Sequence, residues 1–134
     1  MSDNRRILFV CLHGAAKSVL AAIDCERLAA ARGLEVTADF AGTEPDADIA
    51  PAVAAALRAE GLDLSGKKPR LVTRGDVAAA DQVVAFGCDL GVASVPGAQI
   101  VQWADVPAVS DGLPAARTAI RARLEQLMDG WTPR

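Results

Sequence analysis

Cys11 closes the apolar run Ile7-Leu8-Phe9-Val10, and a short loop of small residues follows it: Leu12, His13, Gly14, Ala15 and Ala16. Lys17 and Ser18 come next and open a long alanine-rich stretch of helical pattern. The order strand, loop, helix sets the Cys11 thiol at a helix N-terminus. The first backbone N–H groups of a helix have no intrahelical partner, and the helix dipole adds partial positive charge at the same place. Both favour a bound oxyanion. Both also favour thiolate over thiol, and the thiolate is the nucleophile. Residues 12–18 are therefore expected to cradle an anion beside a reactive sulfur, with Lys17 adding a full charge. A buried, inert small hydrophobe is the ordinary alternative for a strand-end cysteine.

These residues need a scaffold, and the chain supplies a pattern for one. Ile7 to Val10 reads as a buried parallel strand. Ser18 to Arg32 reads as a helix with Val19, Leu20, Ile23 and Leu28 on its apolar face and Gly33 past its end. Leu34 to Ala41 alternates as a second strand, and Gly42-Thr43-Glu44-Pro45-Asp46 is loop-forming. A second helix spans Ala50 to Glu60, with Pro51 in its first turn. Gly66 to Arg70 reads as a loop. Thr73 to Ala80 reads as a short helix capped by Thr73. Gln82 to Phe86 and Gln99 to Trp103 read as the third and fourth strands, separated by the irregular segment Gly87 to Gly97. Leu113 to Met128 is the last helix, with Leu113, Ala116, Ile120, Leu124 and Leu127 on one face. Strands alternating with helices imply parallel βαβ units in an open α/β sheet. Ligands of such sheets bind beyond the carboxyl ends of the strands. Cys11, Gly42-Thr43, Cys88 and the loop after Trp103 all follow strands, so they are expected to gather on one edge.

Composition narrows the function classes. The chain has 134 residues, 51% of them hydrophobic and 23% charged, which fits one globular domain over residues 1–134 with a full core. A net charge of −3 gives no electrostatic footprint for nucleic acid. The trio Lys67, Lys68 and Arg70 reads as a solvated loop. No apolar run approaches a membrane span, and Met1 to Arg6 lacks the plan of a signal peptide. Three cysteines, an odd number, suit free thiols in the cytoplasm.

The loop Cys11 to Ser18 resembles the C-x5-R-[ST] phosphate loop of low-molecular-weight protein tyrosine phosphatases and of the thioredoxin-coupled arsenate reductases that share their fold. The resemblance continues through Ala41-Gly42-Thr43-Glu44-Pro45, Pro51 with Leu57, Glu60-Gly61-Leu62-Asp63-Leu64-Ser65, Pro69-Arg70-Leu71-Val72-Thr73, Asp81 to Cys88, and Trp103. It implies a three-layer open sandwich around a four-stranded parallel sheet. It also implies a site that needs no metal and no organic cofactor. The reductase side is the nearer one, because Cys88 stands where a second redox cysteine is expected and the chain contains no tyrosine.

On that resemblance, Cys11 is the nucleophile, Ser18 hydrogen-bonds its thiolate, and Leu12 to Ser18 bind the oxyanion. Cys88 is the redox partner of Cys11. The family's arginine is Lys17 here, a point charge in place of a planar fork. Losing such a donor typically raises a barrier by ~2.7–4 kcal/mol. The family's asparagine is Gly14. The family's Asp-Pro pair is absent from Trp103-Ala104-Asp105-Val106-Pro107. Asp105 is the nearest general acid, with a solvated loop carboxylate as its plain alternative. Asp111 is the runner-up, or the N-cap of the last helix. No third relay cysteine follows Cys88, and Cys25 reads as a packed thiol. His13 either contacts the anion and favours the Cys11 thiolate, or is an exposed loop side chain. The expected substrate is a small oxyanion, arsenate or phosphate, or a phosphomonoester. An external thiol such as thioredoxin or a small thiol is the expected reductant. Arsenate reduction, phosphomonoester hydrolysis through a Cys11 phosphoenzyme, and oxyanion or partner binding without chemistry all remain open at this point.

Overall fold

A computed structural model describes residues 4–64 and 66–131. Met1 to Asp3 and Ser65, used above, lie outside the described residues. The chain forms β1 (Arg5–Cys11), α1 (Lys17–Ala31), β2 (Val36–Gly42), α2 (Pro51–Ala59), α3 (Arg74–Ala79), β3 (Gln82–Ala85), β4 (Ile100–Gln102) and α4 (Leu113–Asp129). Short 3-10 turns at Gly91–Ala93 and Val109–Asp111 interrupt the later loops.

The strands form one all-parallel sheet in the order β2-β1-β3-β4. Strand order reverses at β1, which has β2 on one side and β3 on the other. That reversal is where an open α/β sheet leaves a crevice at its carboxyl edge. Cys11, the last residue of β1, sits in it.

Side chains alternate along each strand, and the alternation divides the core in two. Ile7, Phe9, Cys11, Val84 and Phe86 pack with buried residues of α1, α2 and α4. Leu8, Val10, Val83 and Ala85 face the other way, onto Val72, Val77 of α3, Leu90 and Ala93. Helices therefore cover both faces, giving three layers. Phe9, Phe86 and Trp103 form an aromatic cluster on the first face, with ring centroids 5.8 to 6.5 Å apart.

The local signals act as their chemistry predicts. Thr73 Oγ accepts from Asp76 N–H, and Asp76 accepts from Thr73 N–H, a complete capping box. Leu34 N–H reaches the Ala29 carbonyl and Gly33 N–H the Ala30 carbonyl, closing α1 with Gly33 at φ +73°. Asp111 is not the cap of α4. Gly112 takes that position with no side-chain hydrogen bond, and Asp111 belongs to the preceding 3-10 turn. In the basic trio Lys67 and Lys68 are exposed, as a solvated loop leaves them, and Arg70 is partly covered. Arg70 pairs with Asp76 and Asp39, and Lys68 with Asp48.

One feature of the interior is invisible in the periodicity. Asp24 of α1, 1% exposed, accepts two hydrogen bonds from Arg117 of α4 at 2.9 Å each and two from Arg121 at 3.1 and 3.5 Å. Arg117 also binds Glu60 at the end of α2, as does Arg27 of α1. The guanidinium groups of Arg117 and Arg27 hold the Glu60 carboxyl down at about 2. This network ties α1, α2 and α4 together. Removing one member of a buried pair leaves the other uncompensated, at roughly 3–5 kcal/mol. Asp24→Ala is expected at the low end of that range in urea unfolding, because Glu60 still serves Arg117. A carboxylate held lower in the folded chain contributes stability above its unfolded pKa and gives it up on acidification. The wild-type protein should lose stability as pH falls from about 4.5 toward 2, and Glu60→Gln should flatten that slope.

Candidate functional site

The loop from Cys11 to Ala16 is shaped by the chain that follows β2. Thr43 N–H donates to the Cys11 carbonyl at 3.4 Å, Glu44 to Leu12 at 2.7 Å, Asp46 to His13 at 3.0 Å and Ala50 to Ala15 at 2.9 Å. A trans peptide sets its N–H opposite its carbonyl. With those carbonyls turned outward, the N–H groups of Leu12, His13, Gly14 and Ala16 turn toward the inside of the loop. Among the described residues, no backbone N–H of residues 12–18 has a protein acceptor.

Gly14 makes this geometry possible. Its φ is +59°, and a Cβ there would lie 2.7 Å from the Gly42 nitrogen. A Cβ on Gly42 would in turn meet the Gly14 nitrogen at 2.6 Å. Two backbones touch where side chains would stand. The glycine that replaces the family's asparagine thus fits a contact that an asparagine would obstruct here.

Cys11 is 6% exposed, and its Sγ lies 3.0 Å from Ser18 Oγ. Ser18 is itself fully buried in the first turn of α1. Its hydroxyl serves the sulfur, and α1 has no side-chain N-cap. Uncapped first-turn N–H groups and the helix dipole are what an anion at this point requires.

The remaining candidates take less direct positions. Lys17 Nζ donates to the Val106 carbonyl at 3.4 Å and lies 5.8 Å from the centre of the Phe86 ring. It bridges the loop to the segment after β4. His13 is turned outward. Its Nδ1 lies 3.2 Å from the Glu44 carbonyl and 3.4 Å from Asp46 Oδ1, so it staples the chain after β2. Of the two readings of His13, this position matches the exposed loop side chain. Asp105 is bound through both oxygens to Arg123 of α4. The Arg123 hydrogen bonds hold its carboxyl below the usual carboxylate range. An acid held ionised is a poor proton donor.

Cys88 is half-buried, with its thiol directed at the Val10 carbonyl at 3.5 Å. Burial is the main influence raising its pKa, and negative charge on Cys11 is another. The two sulfurs thus share the carboxyl edge of the sheet. Gln102 holds this turn, accepting from Gly87 N–H at 3.0 Å and donating to the Cys88 carbonyl at 3.1 Å. A cavity of about 450 Å³ opens beside Cys88, bounded by Asp89, Ser94, Gln102 and Ala104. Cys25 is fully buried in α1 and pushed up to about 12 by burial, then by Glu26. It is an inert thiol. No group of His, Cys, Asp or Glu side chains among the described residues is arranged to hold a metal. No helix among them is long and apolar enough to cross a membrane.

Nothing in the sequence points to a role for Arg123, Val106 or Gln102, whereas Gly42, expected on this edge with Thr43, does end its strand there.

The family model for low molecular weight phosphotyrosine protein phosphatase matches residues 6–94, which include the Cys11 loop and Cys88. The chain belongs to this family. Among solved structures, it superposes on the thioredoxin-dependent arsenate reductase Cg_ArsC1' of Corynebacterium glutamicum with a TM-score of 0.78 and 26% identity. That match covers 94% of this chain and 61% of the reductase, so the chain spans under two thirds of that protein. YfkJ from Bacillus subtilis gives a TM-score of 0.81 at 24% identity, over 96% of this chain and 95% of that one. The low molecular weight tyrosine phosphatase SP-PTP of Streptococcus pyogenes gives 0.73 at 13% identity, over 97% and 95%. A comparison with curated protein sequences found no match. The family and its structural neighbours comprise arsenate reductases and phosphatases.

The Gly14–Gly42 contact separates collision from mere strain. A left-handed non-glycine residue costs roughly 1–2 kcal/mol. Gly33→Ala, at φ +73° with open space around it, should cost about that in thermal unfolding and leave phosphate binding intact. Gly14→Ala should cost more and weaken phosphate binding at least ~10-fold by calorimetric titration, because the loop must move off Gly42.

Proposed function

We propose that this chain is a thiol-dependent, arsenate-reductase-like enzyme of the family, with Cys11 as nucleophile and Cys88 as redox partner. The observation that carries this reading is the position of Cys88, its thiol on the carbonyl of Val10, next in sequence to Cys11. Hydrolysis through a Cys11 phosphoenzyme does not call on a second thiol.

The chemistry balances with the residues present. The Cys11 thiolate, hydrogen-bonded by Ser18, attacks arsenic(V) of arsenate bound on the N–H groups of residues 12–18. One arsenate oxygen leaves as water after taking up protons. The Cys88 thiolate then attacks the Cys11 sulfur. The S–As bond breaks, its electron pair stays on arsenic, and arsenite departs. Two thiols have become one disulfide while arsenic(V) has become arsenic(III). An external dithiol such as thioredoxin, or a small thiol, returns the disulfide to thiols, and the cavity beside Cys88 leaves room for its approach. Lys17 supplies charge to the bound anion by leaving the Val106 carbonyl. A reducing compartment such as the cytoplasm suits the three free thiols.

The Cys11–Ser18 pair also suits a phosphomonoester, through a Cys11 phosphoenzyme. That second reading does not need Cys88. The third, binding without chemistry, draws on the withdrawal of Asp105 to Arg123.

Mass spectrometry of reduced protein after a single turnover with arsenate separates them. The expected result is a loss of two hydrogens that maps to a Cys11–Cys88 disulfide, absent in Cys11→Ser, in Cys88→Ser and without arsenate. Undiminished multiple-turnover reduction by Cys88→Ser would sink the relay. Because burial keeps Cys88 as a thiol, disulfide formation should quicken as pH rises above neutral.

A further inference from the structure

The segment after β4 is gripped from two helices. Trp103 and Val106 are buried at 4% and 5% exposure, and Asp105 between them faces outward with a side chain 70% exposed. Val106, between Asp105 and Pro107, anchors the segment in the core. The Val106 carbonyl receives Lys17 of α1. Asp105 receives Arg123 of α4, whose Nη2 donates to both carboxylate oxygens.

The geometry points to Arg123 as a positioning residue that withholds Asp105 from proton donation and so sets which leaving groups the Cys11 site accepts. This rests on the reading of Cys11 as nucleophile. A carboxylate with both oxygens accepting charge-assisted bonds is locked as an acceptor. Both its oxygens are engaged by the guanidinium of α4. With Arg123 in place, reactions whose departing oxygen must be protonated go forward without an acid. A positioned acid typically contributes 10²–10⁴ in rate, so the restraint biases the site toward substrates with intrinsically good leaving groups. An aryl phosphate is favoured over an alkyl phosphate. The charged group acting on Asp105 is Arg123 from α4. Lys17 from α1 meets the same segment one residue on.

The test compares the full-length wild type with Arg123→Gln, Arg123→Lys and the double variant Arg123→Gln/Asp105→Asn. Each is assayed for arsenate-driven thiol loss and for hydrolysis of p-nitrophenyl phosphate and of a simple alkyl phosphate. Arg123 is partly exposed, and circular dichroism verifies that each variant folds. Release of Asp105 should speed arsenate-driven thiol loss at least ~10-fold and raise the alkyl-to-aryl rate ratio by a similar factor. The limb on which activity falls with rising pH should move to higher pH, because Asp105 regains its ordinary proton affinity. Arg123→Lys should lie near wild type, and the double variant should lose the gain.

Equal rates, ratios and pH profiles for wild type and Arg123→Gln overturn the inference. So does a uniform fall on every substrate, which marks a purely structural role. A wild type inert to arsenate beside an active Arg123→Gln upholds the inference. An absent Cys11–Cys88 disulfide in both proteins, with phosphate hydrolysis responding as described, rejects the reductase reading and keeps the role of Arg123. Inertness of both proteins toward all three substrates overturns both.

Discussion

The functional edge of this molecule depends on how one loop disposes of its carbonyls. Cys11, Leu12, His13 and Ala15 each offer a carbonyl to an N–H of residues 43–50. Each bond is an ordinary one between backbone groups. Together they decide which side of the loop is positive. The N–H groups left facing inward have no protein acceptor among the described residues, which is the arrangement that suits an oxyanion. The close approach of Gly14 to Gly42 is the steric condition for the arrangement, since a methyl group on either glycine would push the loop off the strand that orients it.

Around that frame the charged side chains are placed conservatively. Lys17, His13 and Asp105 each sit on a protein partner outside the loop: Val106, the chain after β2, and Arg123. The inner surface is thereby left to backbone donors, the helix terminus and the Cys11–Ser18 pair. A lysine in place of the family's arginine fits this economy of charge. Its ammonium is held by a carbonyl and an aromatic face, contacts that an incoming anion displaces more readily than it would a paired carboxylate. The scaffold that holds the loop is stiffened far from it, where Asp24, Arg117 and Glu60 lock the helices on one face of the sheet.

The two thiols of the edge differ in kind. Cys11 ends the central strand with a hydroxyl as partner, whereas Cys88 lies in a turn beyond β3, held by Gln102 and shielded by its surroundings. On the proposed reading, sulfur at the first position attacks, and sulfur at the second waits as a thiol until the first has reacted. Cys25 shows the contrast: full burial within α1 leaves a thiol with neither role.

Much of this was legible in the chain itself. The apolar run before Cys11, the small residues after it, the period of α4 and the Thr73 cap report interactions among neighbours in sequence, and local steric and hydrogen-bonding rules decide those. The strand-loop-helix placement of Cys11 follows from them, as does the gathering of Cys88 and the Trp103 segment on one edge. The destinations of Lys17, His13 and Asp105 did not follow. Each side chain chose a partner from 31 to 89 residues away or from another helix, where long flexible stems meet whatever charge or carbonyl the packing brings near. The partners of Asp24 on α4, and the link through Arg117 to Glu60, exist only once three elements meet. The chain by itself determined which chemical groups reach the carboxyl edge, because periodicity and chain order fix that. Tertiary structure alone decided which of those groups stay available for chemistry, because availability depends on contacts between residues distant in sequence.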